Sequence, residues 1–318
     1  MIVSNRLFTS VCAFALFVSG LNSIEAAQSF IIVDSKSGHV LKAQEPKQKR
    51  QIGSLTKIAT AAVVLDWADR HRGDLNQIVD IPQDAFVGTG ENNIGFQPGD
   101  RISLRDLMYA ALVQSDNIAA YMLARHVGST IQSSAPSASG SKQLTPVNLF
   151  VGQMNALAKQ LKMEKTRFVN PHGIDDNVRP LPFSTAEDMA RLTRYAMNKA
   201  AFRFYVSQKE RQISIERGGR KLGYLLRNTN ELVGTRGIDG VKTGRTARAG
   251  DCLILSANRE SEIVKQGQYT TVYQRHIIVV ILGSTNRFAE GAALVSTGWQ
   301  LYDQWAAAGR QVNPESVL

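Results

Sequence analysis

The chain has 318 residues, a formal net charge of +10 and an apolar share of 43%. A basic balance of this size fits nucleic acid, an anionic envelope polymer or a solvated surface, but no segment reads as a nucleic-acid module, so most of the charge is assigned to surface. Of the two cysteines, Cys12 falls in the leading segment described next, which leaves Cys252 alone and excludes an intramolecular disulfide.

The N-terminus reads as a secretion signal. Arg6 precedes an apolar stretch from Val11 to Val18, and Ala26-Ala27 offers a cleavage point. The stretch falls short of the ~20 residues that span a bilayer. Residues 1–26 are therefore expected to be removed, and the chain to work outside the cytoplasm, in the periplasm or at the cell wall, with no membrane anchor. The roughly 290 residues left suit one large domain, 27–318. Cys12 lacks the small-residue motif that lipid attachment needs, and Cys252, in Cys252-Leu253-Ile254-Leu255, reads as a buried strand position.

Residues 29–42 predict a hairpin, with Phe30-Ile31-Ile32-Val33 as its first strand and Asp34 to Gly38 as its turn. From Ser54 to Ala68 the pattern is helical, and Ile58 to Leu65 is almost wholly apolar, which marks a helix buried on most sides. Residues 70–103 read as loops with short strands. Helices are predicted over 104–113 and 117–126, a flexible Ser-rich insertion over 129–146, and further helices over 147–162 and 185–199. Then come strands at 211–216, 220–226, 238–242, 251–259 and 275–283, the last two joined by a polar loop. A helix over 288–308 closes the chain, with Trp299, Tyr302 and Trp305 as a packing stripe. This order predicts an α/β chain of the α+β type: one sheet built from both ends, helices on its faces and a helical cluster inserted.

Three triplets carry the chemistry. Ser54-Leu55-Thr56-Lys57 sets a serine and a lysine three residues apart on one helical face, a nucleophile with its own base. Alone, such a pair arises about once by chance in a chain this long. Ser115-Asp116-Asn117 and Lys242-Thr243-Gly244 follow in the order expected of an acyl-transfer site. A lysine acts as a base only when neutral, which burial or a neighbouring cation such as Lys242 would favour. In this reading Lys57 deprotonates Ser54, Ser115 passes the proton to the leaving amine, and Asn117 holds the substrate's peptide amide. Thr243 binds a terminal carboxylate, Gly244 lets a substrate backbone lie along the strand, and the N–H groups of Ser54 and Arg245 receive the oxyanion. Catalytic residues are thus Ser54, Lys57 and Ser115; Asn117, Lys242, Thr243, Gly244 and Arg245 bind substrate. No cofactor is implied, and His39, His71, His126 and His276 show no metal-ligand spacing. His172 reads as a turn-capping residue, Asp175-Asp176 as a solvated turn, and Arg287 as a lesser candidate for a substrate carboxylate.

With these segments in hand, the chain resembles the D-alanyl-D-alanine carboxypeptidases, the low-molecular-mass penicillin-binding proteins of the serine β-lactamase/transpeptidase superfamily. Residues Ile52 to Ile58, Phe168 to Gly173, Ser184 to Ala190, Asn228 to Leu232 and Asp239 to Gly244 carry the likeness. It implies a five-stranded antiparallel sheet flanked by helices, peptidoglycan stem peptides as substrate and β-lactam antibiotics as covalent inhibitors. Ser-Asp-Asn is the form usual in class A β-lactamases, yet no Glu-x-x-Leu-Asn lies between Asn117 and Lys242, so efficient β-lactam hydrolysis is not expected. The chain ends soon after the last predicted helix, which favours a soluble exported enzyme over one laid on the membrane. An endopeptidase cutting D-alanyl cross-links with the same site is the nearest alternative; a wall-binding protein on an inactive scaffold is disfavoured by the intact triplets.

Overall fold

The computed structural model describes residues 27–134, 144–313 and 316–318. The expected signal segment, residues 1–26, lies outside the described residues. An antiparallel sheet of five strands forms the frame: β1 (Ser29–Asp34), β2 (Val40–Gln44), β7 (Ile238–Thr246), β8 (Gly250–Gln266) and β9 (Tyr269–Ser284), in the order β2-β1-β9-β8-β7. The chain's two ends thus meet in one sheet, as the sequence predicts.

The continuous apolar runs of β1, β8 and β9 follow from burial on both faces. Successive strand residues point to opposite sides. Ile31, Val33, Ile254 and Val280 pack into the larger core with the helices. Phe30, Ile32, Leu253, Leu255 and Ile281 face the other way, against Val295, Trp299 and Tyr302 of α7 (Arg287–Ala307). Cys252 is buried on β8.

The larger core is centred on α1 (Lys57–His71), buried from Lys57 through Trp67. Ala59, Ala61 and Ala62 keep this helix thin enough for neighbours on every side. Around it pack α2 (Leu104–Leu112), α3 (Asn117–Ser134), α4 (Pro146–Gln160), α5 (Ala186–Met197) and α6 (Ala200–Val206). The caps lie where the sequence puts them. Ser103, Thr145 and Thr185 each accept an N–H in the first turn of the helix that follows.

Three expectations need correction. The strands predicted at 211–216 and 220–226, β5 (Glu210–Arg217) and β6 (Arg220–Arg227), do not enter the main sheet. They join β3 (Ile78–Asp80) and β4 (Arg101–Ser103) in a second sheet, ordered β3-β4-β5-β6. Only Ile213 and Ile215 of β5 are buried, and a strand with one apolar face cannot fill a place covered on both sides. Next, the described ends of the segment at 129–146 belong to helices and their caps. α3 runs on to Ser134, Thr130 and Ser133 bond back to the carbonyls of Val127 and Ser129, and Thr145 caps α4; residues 135–143 lie outside the described residues. Last, β8 and β9 form a long antiparallel hairpin, but the loop expected between them shrinks to the turn at Gly267-Gln268. Their pairing continues from Arg259↔Arg275 to Gln266↔Tyr269, because Ile263, Val264, Thr270, Thr271 and Val272 sustain a two-stranded ladder without a core.

Candidate active site

Ser54 sits one turn before α1. Gly53–Thr56 form a 3-10 turn, and α1 begins at Lys57. The turn depends on Gly53, whose φ of +51° is left-handed. Serine and lysine still face one another: Lys57 Nζ lies 2.9 Å from Ser54 Oγ. Ser54 is half-buried and Lys57 wholly buried.

Two other oxygens surround the amine, Asn117 Oδ1 at 2.6 Å and the carbonyl of His172 at 2.9 Å. A neutral amine has two N–H donors and one lone pair. Donating to Asn117 and to His172 uses both donors and leaves the lone pair for the Ser54 hydroxyl proton. Burial pushes the Lys57 pKa down to about 7, with the Asp116 carboxylate pulling the other way. Half of the lysine is then unprotonated near neutrality, the condition a general base needs.

The second triplet forms the turn between α2 and α3. Ser115 takes a left-handed φ of +65°. Asp116 caps α3, accepting the Ala119 N–H at 2.7 Å, and burial lifts its pKa to about 6. Asn117 donates to the Thr89 carbonyl at 2.8 Å while it accepts from Lys57. It therefore fixes the Lys57 amine, and its second amide N–H is left over from these two bonds.

The third triplet lies on β7, the edge strand beside the 3-10 turn. Lys242 is buried, and burial, reinforced by the charges of Lys57 and Arg287, holds its pKa well below the usual lysine range. The Thr243 hydroxyl lies 2.6 Å from that of Thr229. At Gly244 a Cβ would stand 2.5 Å from the Ile52 carbonyl oxygen, so only glycine allows β7 this close to the turn. A Cβ on Gly53 would lie 3.0 Å from Arg245 N, which brings the Arg245 amide beside the residue preceding Ser54. The Arg245 side chain, 77% exposed, reaches back to Asp251 at 3.5 Å. Arg287 donates to the Gly244 carbonyl at 3.1 Å, at the third triplet.

The segment 168–175 closes the floor. Gly173 packs where a Cβ would stand 2.0 Å from the Gly53 carbonyl oxygen. His172 is structural as expected. Its Nδ1 accepts the Ile174 N–H at 3.2 Å, and burial, helped by the Lys57 charge, drives its pKa down to about 3. The Asp175-Asp176 expectation holds for exposed Asp176 only. Asp175 is fully buried and accepts the Thr246 hydroxyl at 2.9 Å, tying this segment to the end of β7. Sequence reading gave no role to Asp116, Asp175, Thr229 or the His172 carbonyl; only Asp116, a good capping residue just before a helix, carried a local signal.

A serine with a buried lysine against it, under an edge strand of an antiparallel sheet, defines a serine acyl-transfer site. The family model of D-alanyl-D-alanine carboxypeptidases, peptidase S11, matches residues 20–266. The chain belongs to this family of serine-type, penicillin-binding hydrolases of the cell wall. It is 30% identical to D-alanyl-D-alanine carboxypeptidase DacD of Salmonella typhimurium over 340 aligned positions, covering 100% of this chain and 77% of that protein. It is 31% identical to the D-alanyl-D-alanine endopeptidase of Pseudomonas aeruginosa, over 85% of this chain and 76% of that one. Among solved structures, the Streptomyces K15 DD-transpeptidase superimposes with a TM-score of 0.71 at 26% identity, covering 86% of this chain and 97% of that one. Penicillin-binding protein D2 of Listeria monocytogenes, bound to cefotaxime, gives 0.65 at 25%, covering 86% of this chain and 97% of that one. No described helix is long and apolar enough to cross a membrane.

Proposed function

We propose that the chain is an exported carboxypeptidase that removes the terminal D-alanine from peptidoglycan stem peptides through an acyl-enzyme on Ser54. The observation that carries this reading is the Lys57 amine, with two oxygens for its two N–H groups and its lone pair left for Ser54. Ser54 Oγ attacks the carbonyl of the penultimate D-alanine as its proton passes to Lys57. The N–H groups of Ser54 and Arg245 hold the oxyanion. The C–N bond then breaks as Ser115 relays a proton to the leaving amine, polarised by the Lys242 amine. Asn117 steadies the substrate amide, and Thr243, with Arg287 beside Gly244, meets the terminal carboxylate. Water then cleaves the ester, and the proton returns to Ser54.

The likeness to an endopeptidase supports a second reading, cleavage of D-alanyl cross-links by the same residues. Digestion of monomeric pentapeptide muropeptides beside cross-linked dimers separates the two: D-alanine from monomers supports the first, dimer cleavage alone the second. Penicillin is expected to leave a covalent adduct on Ser54, seen by mass spectrometry and lost in Ser54→Ala. An unmodified wild-type protein would refute both readings. Export is tested by the N-terminal sequence of the protein recovered from the cell envelope, expected to begin near Ala27.

A further inference from the structure

Asn228, Thr229 and Asn230 open the segment from β6 to β7 and reach Thr243 of the third triplet and Val113, just ahead of the second, though the chemistry above gives them no part. The Thr229 N–H donates to the Val113 carbonyl at 3.0 Å, two residues before Ser115. Its hydroxyl meets that of Thr243 at 2.6 Å. The flanking side chains hold the segment in place. Asn228 Nδ2 donates to the carbonyls of Val206 at 3.3 Å and Gln208 at 2.8 Å, and Asn230 Nδ2 to that of Gly240 at 3.2 Å.

We infer that Thr229 is a positioning residue: it donates its hydroxyl proton to Thr243, so that the Thr243 proton points at the free carboxylate of the leaving D-amino acid, and the site selects substrates that carry one. The inference rests on the carboxypeptidase reading and deepens it. Between two facing hydroxyls only one proton lies on the line joining them. If Thr243 donated to Thr229, it would turn lone pairs toward the substrate. A carboxylate offers acceptors alone, so its binding selects the opposite arrangement. A donor that itself accepts a hydrogen bond is polarised and strengthened. Thr243 is buried, so water does not substitute freely for Thr229.

The experiment compares a peptide ending in D-alanyl-D-alanine with the same peptide amidated at its C-terminus. Thr229→Val is expected to lower kcat/KM for the carboxylate peptide about tenfold, through KM, close to the lower end of what a hydrogen bond to a charged group supplies. The amide peptide should change less than twofold, Thr229→Ser should restore the wild-type ratio, and Thr229→Val should add nothing to Thr243→Val. Thr229→Ala serves if the valine variant does not fold. Equal losses on both peptides, no rescue by serine, or additive effects with Thr243→Val would overturn the inference. If the wild type releases no D-alanine, the carboxypeptidase reading fails by itself. The same variants are then read by acylation with benzylpenicillin against its methyl ester, where the same selective loss is expected.

Discussion

Lys57 sets its own working pH through the groups that bury it. With a pKa of about 7, its neutral fraction, and with it the acylation rate, should rise about tenfold per unit on the acid side and level off above pH 8. Stopped-flow acylation by a chromogenic cephalosporin across pH 5 to 9 measures this; a flat profile would exclude Lys57 as the base. Asp116 raises the lysine's pKa. In Asp116→Asn, which keeps a capping side chain on α3, the midpoint of the profile should therefore move to lower pH, and the rate at pH 6 should rise relative to the plateau. Lys57→Arg, which stays charged, should cost on the order of 10²–10⁴ in acylation. Ser54 and Lys57 were legible in sequence because helical spacing alone brings i and i+3 together, and even a 3-10 turn at Ser54 preserves that. Asp175 was misread because nothing beside it shows that Thr246, 71 residues away in sequence, would cover it.

At the scale of elements, the proposed reaction depends on how closely β7 approaches the turn that bears Ser54. Two glycines set that distance, Gly244 against the Ile52 carbonyl and Gly53 against the Arg245 backbone. Gly244→Ala puts a methyl group 2.5 Å from a backbone oxygen that cannot rotate away, so β7 must move. Overpacking of this kind costs about 1–3 kcal/mol. The loss in acylation should be far larger in proportion, on the order of 10²-fold, since the Arg245 N–H moves with the strand. Thermal unfolding together with the penicillin acylation rate checks this; a variant that loses stability and acylates at the wild-type rate would separate strand position from oxyanion binding. The strands themselves were legible from apolar runs and turns. Their partners were not, because period-two alternation says which face is covered and not by which sheet, and β5 and β6 went astray for that reason.

Over the whole molecule, the cost of this site is two lysines in one interior. Order along the chain, buried α1 and the sheet closed by both termini could be read from sequence, since each is a pattern of apolar residues. The convergence of the triplets could be read as well, from their order and the resemblance they carry; the His172 carbonyl that joins Asn117 at the Lys57 amine could not, since it comes from packing across 115 residues. That convergence leaves a thermodynamic trace. Unfolded, Lys57 titrates near 10.5; folded, near 7, and Lys242 is depressed in the same direction. Between those values the unfolded chain binds more protons, so stability rises with pH across the window. From pH 7 to pH 9 the Lys57 contribution should amount to about 2 kcal/mol. Asp116, raised to about 6, acts oppositely, but between about pH 4 and 6, below this window. Urea unfolding of wild type and Lys57→Met at both pH values isolates the contribution. The wild type should gain about 2 kcal/mol more than the variant, and the variant, relieved of a buried amine, should be the more stable at pH 7 and inert toward penicillin. Equal pH dependence in the two proteins would mean that Lys57 keeps its ordinary pKa in the fold, and the base at the centre of the proposed reaction would have to be sought elsewhere.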